Sequence, residues 1–202
     1  MRSLSKGIGE IWRGFARDNQ GEFVEMATYE YLRMPYKNWE IIVDTESTPN
    51  DYKHVAHTRF RVLILNPQKF EFDIYPSNVF SRIGKGMGMQ DVAIGDQEFD
   101  RYFIIKGNIT RYVNQLFSDQ ALRNTLVTLD RPRMYIERNK GLFRNRKWPK
   151  MVDQLYLRES LEVENPEVLR DNIQLFRLTL DRMVEVGAIS PENPGASFYN
   201  KL

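Results

Sequence analysis

The feature that most constrains the fold of this chain is a long amphipathic helix predicted between residues 165 and 187. Asn165 is a favourable N-cap, Pro166 suits the first helical position, and Gly187 suits the residue after the last turn. Between them, apolar residues recur at steps of four and three along one stripe: Leu169, Ile173, Phe176, Leu180 and Met183. Because such a stripe has to be buried, the helix needs a partner surface, either a sheet of its own chain or a second copy.

Short segments of β-type residues precede this helix. Strands are predicted over 39–44, 55–65, 70–75, 99–106, 134–138 and 155–157, and two short helices across 109–128. The short connection at Asn66-Pro67 predicts a hairpin between the second and third of these strands. Strands joined by connections too short for crossover helices imply a mainly antiparallel sheet. We therefore expect an α+β fold with the long C-terminal helix packed on the sheet. Its order of elements resembles a partly open, pleckstrin-homology-like barrel capped by its final helix.

The two ends of the chain differ in character. Residues 3 to 17 predict a short amphipathic helix, and the stretch from 23 to 36 suits either a strand or a helix. Near the other end, the sequence around Pro194-Gly195 is typical of an irregular segment. We expect a single domain over residues 1–190 and a mobile tail over 191–202.

The composition limits the chemistry that the chain can use. It contains no cysteine, which excludes disulfides, thiolate metal sites and a cysteine nucleophile. The longest apolar runs, such as residues 62–65, are far shorter than the roughly 20 residues that a transmembrane helix needs. Since the first residues also lack the pattern of an export signal, we expect a cytoplasmic protein without a transmembrane span.

A basic segment at 138–150 is the first candidate binding site. It combines positive side chains with a tryptophan: Arg138, Lys140, Arg144, Arg146, Lys147, Trp148 and Lys150. An acidic stretch between 159 and 171 follows it. We expect the basic segment to bind a partner protein or another anionic surface. Three alternatives remain open. The segment could bind nucleic acid through phosphate contacts and base stacking, it could pair with the acidic stretch 159–171 of the same chain, or it could be a solvated loop that only keeps the chain soluble.

An acidic motif supplies the second candidate site. The sequence Gly-Asp-x-x-Phe-Asp-Arg-x-Phe comprises Gly95, Asp96, Phe99, Asp100, Arg101 and Phe103. In an extended segment Asp96, Glu98 and Asp100 would lie on one side, where carboxylates can hold a hard cation. Alternatively, Asp96 caps a turn and Asp100 pairs with an arginine such as Arg59, Arg61 or Arg101.

The same motif, with the strand and the Gly-Asn pair that follow it, resembles an uncharacterised bacterial family, a domain of unknown function. Arg59-Phe60, Gly88 and the long final helix are similar to that family as well. The resemblance implies an order of elements and no particular chemistry.

The missing catalytic pattern favours a non-enzymatic binding or scaffold domain without a cofactor, whose partner meets the basic segment. Two alternatives are a metal-dependent enzyme or module that uses the acidic motif, and a nucleic-acid-binding protein. The apolar stripe of the long helix also leaves open a homo-oligomer formed through that helix.

Overall fold

A computed structural model describes residues 7–27, 29–47, 56–78, 89–139, 148–159 and 162–199. The helices are α1 (Ile8–Asp18), α2 (Gln97–Tyr102), α3 (Thr110–Phe117), α4 (Gln120–Thr128) and α5 (Pro166–Glu185). The strands are β1 (Glu22–Glu25), β2 (Glu30–Tyr36), β3 (Trp39–Ser47), β4 (Ala56–Leu65), β5 (Phe72–Pro76), β6 (Gln90–Asp91), β7 (Phe103–Gly107), β8 (Arg133–Glu137) and β9 (Val152–Arg158).

These strands form one nine-stranded sheet in the order β1-β2-β3-β4-β9-β8-β5-β7-β6. Every pair of neighbours is antiparallel. In the part of the chain that the structure describes, β1 and β6 are the two edges, so the sheet is open and does not close into a barrel. The predicted α+β class with an antiparallel sheet and a long final helix is confirmed.

The predicted hairpin between residues 55–65 and 70–75 is wrong, because β4 pairs with β3 and β9 whereas β5 pairs with β7 and β8. The cause lies in the buried side chain of Asn66. Its amide donates to the carbonyl of Phe70 and to Asp153, and its oxygen accepts from the Phe70 amide, at 2.8–2.9 Å. These bonds fold the connection into a closed loop, and β9 takes the place beside β4.

Other elements depart from the predictions in smaller ways. The ambiguous stretch 23–36 contains the two strands β1 and β2. The strand predicted over 99–106 begins only at Phe103, because α2 occupies the residues before it. The first helix begins at Ile8, and the residues before Gly7 lie outside the described ranges.

One face of the sheet carries the apolar core. The buried apolar residues of all the described helices belong to a single cluster with inward residues of the strands, such as Leu32, Val43 and Phe60. On α5, Asn165 accepts a hydrogen bond from the amide of Glu167 at 2.8 Å, as its N-cap role predicts. The predicted stripe is buried against the sheet of its own chain: Leu169, Ile173, Phe176, Leu180 and Met183.

Polar groups also lie within this core. Glu159, directly after β9, is 5% exposed, and Asn172 of α5 is fully buried. The carboxyl oxygen Oε1 of Glu159 and the amide oxygen Oδ1 of Asn172 are both buried and accept no hydrogen bond within the described chain. Burying an acceptor without a donor costs free energy, so these two oxygens reduce the stability of the fold.

The opposite face of the sheet is called here the polar face. Because side chains alternate along a strand, it carries the residues between those of the core: Tyr31, Arg33, Asp44, Glu46, Arg59, Arg61, Asp73, Arg133, Tyr135 and Tyr156. Several of them are buried although the helix core lies on the other side, as Asp44 at 1% exposure illustrates.

Candidate binding surface

Asp44 of β3 is the centre of the polar face. It lies opposite Arg59 of β4 in the strand register, and that guanidinium donates to both carboxylate oxygens, at 2.5 and 3.1 Å. Arg61, two residues further along the same strand, donates to the second oxygen as well. Arg59 also donates to Glu46 at 3.0 Å. Two guanidinium groups therefore bind one deeply buried carboxylate, and the bidentate pair with Arg59 fixes the geometry of this surface.

The environment of this cluster raises the pKa of one arginine and two tyrosines. Burial alone would lower the pKa of Arg59, but the hydrogen bond and charge of Asp44, together with Glu46, raise it above its ordinary value. For Tyr156, burial and then the proximity of Tyr135 and Glu46 raise the pKa well above its ordinary value. Burial, followed by the charge of Glu137, raises the pKa of Tyr135 to about 12. The phenols thus stay protonated near neutral pH and can donate hydrogen bonds.

A row of rings and charges extends the network across the neighbouring strands. Tyr156 of β9 donates to Glu46 at 3.2 Å and stacks on Tyr135 of β8, with the ring centroids 4.9 Å apart. Arg133 lies over the Tyr135 ring at 4.8 Å and donates to both oxygens of Asp73, at 3.1 and 2.9 Å. Contacts between arginine, tyrosine and carboxylate side chains therefore extend across the sheet from β3 to β5.

Residues 191–199, called here the closing segment, lie against this surface. Tyr199 donates its hydroxyl to Asp44 at 2.8 Å and accepts from Arg61 at 3.1 Å. Its ring stacks on Tyr31 and Tyr29, with centroid distances of 4.2 and 5.2 Å. The mobile tail predicted over 191–202 stays a prediction, and residues 200–202 lie outside the described residues.

Phe198 makes the second anchor of the closing segment. The guanidinium of Arg61 lies over its ring, 4.5 Å from the centroid. The ring of Trp148 meets it edge-on at 5.6 Å. Trp148 belongs to the basic segment, so the structure brings one end of that segment beside the polar face.

The structure describes two of the other positive residues of the basic segment, Arg138 and Lys150. Arg138 donates to Glu71 at 2.8 Å and lies 4.0 Å from Asp153, so internal carboxylates neutralise its charge. Lys150 is exposed. The remaining four positive residues lie outside the described residues: Lys140, Arg144, Arg146 and Lys147.

The acidic motif contains the N-cap and the whole of α2, so its three carboxylates do not take the extended arrangement that was considered for a metal site. Asp96 is the N-cap of α2 and accepts from the Phe99 amide at 3.1 Å, as the capping alternative predicts. Asp100 turns back to accept from the amides of Ile94 and Gly95, both at 3.0 Å. Gly95 has a φ of +85°, which favours glycine.

The remaining motif residues have mainly packing positions. Phe99 is buried and contacts Phe103, the first residue of β7, with the ring centroids 4.9 Å apart. Arg101 is exposed at the surface of α2, and its backbone carbonyl accepts from Ser77. The spacing of the motif is thus explained by the way its residues cap α2 and anchor it to the core.

A cleft of about 350 Å³ lies between α2 and α4 beside this motif, and Asp96 and Glu98 line it. Asp96 faces Arg123 of α4 at 3.4 Å. Across the residues that the structure describes, no three or more histidine, aspartate or glutamate side chains are grouped so that they could hold a metal ion. The three carboxylates proposed for a metal are therefore not assembled into such a group.

Sequence reasoning missed the centre of the polar face. It considered Arg59 and Arg61 as ion-pair partners for Asp100, whereas both pair with Asp44. A signal was present, because carboxylates at 44 and 46 and arginines at 59 and 61 repeat at the spacing of one strand face. When two such segments are neighbouring antiparallel strands, the carboxylates of one form ion pairs with the arginines of the other.

Comparisons with known proteins give one result about the fold. The sequence matches no protein-family model and no curated protein. A solved structure, the crystal structure of the mycobacterial trehalose monomycolate transport factor A, TtfA, is similar, with a TM-score of 0.56. The match covers 89% of this chain and 96% of that chain at 8% sequence identity, so it shows a shared fold. Within the described ranges, none of the helices combines the length and hydropathy that crossing a bilayer requires.

Proposed function

We propose that this chain is a non-enzymatic binding or scaffold domain that receives an extended partner segment on its polar face, beside the basic segment 138–150. The observation that carries this proposal is the closing segment, which already lies on that face. A surface that holds one stretch of irregular chain through side-chain contacts is suited to holding another.

The residue types of the polar face support the proposal. Arginine and the large aromatic residues are enriched among the residues that dominate binding energy at protein interfaces. The described face presents Arg61, Tyr135 and Arg133 within one network of hydrogen bonds and ring contacts. Because that network already fixes the rotamers, a partner would bind a preorganised surface and lose less conformational entropy.

The basic segment supports the proposal through its charge. Clustered positive side chains beside a binding surface attract an anionic partner and speed its association, an effect that salt weakens. Trp148 connects that segment to the polar face through its contact with Phe198. The similar fold of a protein named as a transport factor is in keeping with an accessory rather than a catalytic role.

Site-specific photo-crosslinking in cells tests the proposal. A benzophenone amino acid replaces Tyr135 on the polar face in one variant and Tyr102, which is 55% exposed on α2, in a matched control. We expect a defined protein adduct from position 135 that is absent from position 102. The adduct should weaken when Arg144, Arg146 and Lys147 are all replaced by glutamate.

Adducts that are identical at both positions, or that form only at position 102, would contradict the proposal. An adduct with RNA or DNA in place of protein would replace it with the nucleic-acid alternative. Thermal unfolding of each variant shows whether the substituted chain is folded before its crosslinks are interpreted.

A further inference from the structure

We infer that the polar face contains a docking groove for a peptide with adjacent phenylalanine and tyrosine residues, and that Phe198-Tyr199 of the same chain occupies this groove in cis. The inference rests on the proposed function, because it names the kind of partner segment that the polar face would receive. The groove consists of Tyr29, Tyr31, Asp44, Arg61 and Trp148.

The first subsite binds a tyrosine ring and forms hydrogen bonds with its hydroxyl. The ring of Tyr199 stacks on Tyr31 at a centroid distance of 4.2 Å, and its hydroxyl donates to Asp44 at 2.8 Å. Arg61 donates to the same hydroxyl at 3.1 Å. A site built to hydrogen-bond a hydroxyl rejects an analogue that lacks it, because its own polar groups lose a partner. This subsite should therefore prefer tyrosine to phenylalanine.

The second subsite takes an aromatic ring without a polar tip. Arg61 covers one side of the Phe198 ring at 4.5 Å, and Trp148 meets it edge-on at 5.6 Å. Cation–π and edge-to-face contacts both favour an aromatic ring at this position. Because Arg61 contacts both anchors, the two subsites are joined, and neighbouring residues of one peptide can fill them together.

The closing segment is attached in a way that allows its displacement. Between the segment and the β2–β3 turn, Asn38 donates to the carbonyl of Pro191 at 2.9 Å, and Asn193 donates to the carbonyl of Asn38 at 3.1 Å. Phe198 and Tyr199 are both only half-buried. A cleft of about 310 Å³ also remains between the segment and residues such as Leu63. The segment is therefore held at a few points rather than packed as part of the core.

Competition in cis sets the size of the expected effect. A tethered segment competes at an effective concentration on the order of 1 mM. A free peptide of the same sequence whose intrinsic Kd lies well below that concentration then binds the unmodified chain with an apparent Kd of about 1 mM. If the intrinsic Kd lies between about 10 and 100 μM, removing the cis anchors tightens the apparent affinity by about 10- to 100-fold.

The test uses a fluorescein-labelled synthetic peptide of residues 191–199 and fluorescence anisotropy with the full chain. We expect the double substitution Phe198→Ala plus Tyr199→Ala in the chain to bind this peptide at least about tenfold more tightly than the unmodified chain does. A peptide with phenylalanine in place of Tyr199 should bind the double variant about tenfold more weakly. A peptide with alanine at both anchor positions should show no binding.

Two further substitutions in the double-variant background locate the binding. Tyr31→Ala should weaken binding of the peptide by about tenfold or more, because it removes the main stacking surface. Tyr102→Ala, a matched change at an exposed tyrosine outside the groove, should leave the affinity unchanged. The peptide variants need no change in the protein, so they test the groove even if Tyr31→Ala prevents folding.

Several outcomes would overturn the inference. The first is that the peptide fails to bind the double variant at 1 mM. The second is that a peptide with alanine at both anchor positions binds equally well. The third is that Tyr102→Ala weakens peptide binding as much as Tyr31→Ala does. An unmodified chain that is dimeric, and becomes monomeric on loss of Phe198 and Tyr199, would mean that a second copy fills the groove. If the peptide fails while crosslinks at position 135 persist, the groove is refuted and the proposed function is not.

Discussion

The buried carboxyl of Glu159 should make the stability of this protein depend on pH in an unusual direction. Burial raises the pKa of Glu159 from its ordinary 4.5 to about 7, although a hydrogen bond from Asn172 lowers it in part and Asp130 raises it. The folded chain therefore holds the proton more tightly than the unfolded chain. Protonation also turns the carboxyl into a donor, in a region where Oδ1 of Asn172 accepts no hydrogen bond.

The magnitude follows from the difference between the two pKa values. A shift from 4.5 to about 7 corresponds to about 3 kcal/mol, since each unit is equivalent to about 1.4 kcal/mol. This contribution is fully present below pH 4.5, and it is lost as the pH rises through the folded pKa of about 7. At pH 8 the folded chain keeps a charged carboxylate in a site that disfavours charge, and the free energy of unfolding is lower by that amount.

Urea unfolding at pH 5, 6, 7 and 8 measures the effect in the unmodified chain and in Glu159→Gln. The amide has nearly the same size and stays neutral, so we expect Glu159→Gln to match the parent near pH 5. At pH 8 it should be more stable by up to about 3 kcal/mol. Glu164→Gln, a matched change at an exposed glutamate nearby, should show no such divergence. A difference between Glu159→Gln and the parent that stays constant with pH would refute the reasoning.

Three other substitutions test the local physical arguments. Asp44→Ala should lower the free energy of unfolding by about 3–5 kcal/mol in urea titrations, because two guanidiniums lose a buried partner. Glu46→Gln, at a half-buried carboxylate that is not the only partner of Arg59, should cost less than Asp44→Ala does. Gly95→Ala should cost about 1–2 kcal/mol in thermal unfolding because of its positive φ, whereas Gly14→Ala within α1, with open space around it, should stabilise by about 0.5–1 kcal/mol. Asp96→Ala should remove the cap of α2 and cost about 1 kcal/mol, and stability unaffected by this change would contradict its role as a cap.

The elements that could be predicted from the sequence are those whose signals are local. The bounds of α5 follow from Asn165, Pro166 and Gly187, which act within one helical turn of where they stand. The two short helices between 109 and 128 follow in the same way from their apolar spacing. Local signals of this kind do not depend on what the rest of the chain does.

The pairing of strands could not be predicted, because it depends on residues far apart in sequence. β4 would pair with β5 if the loop at Asn66 were a tight turn, but β9 competes for the same edge from about ninety residues away. The extended conformation considered for the acidic motif was wrong for a related reason. Alternating charges favour an extended segment, yet the cap at Asp96 and the return bonds of Asp100 stabilise a short helix. The polar face was missed because its ion pairs form only after β3 and β4 are paired.

The position of β9 in the sheet has a consequence for how the chain folds during synthesis. Among the described strands β9 comes last in the sequence, yet it lies in the middle of the sheet, with β4 on one side and β8 on the other. Until it emerges from the ribosome, β1–β4 and β5–β8 can form only two separate sheets, each with an unpaired edge open to aggregation. Pairing over such sequence distances slows folding, so insertion of β9 should be the rate-limiting step that joins the halves.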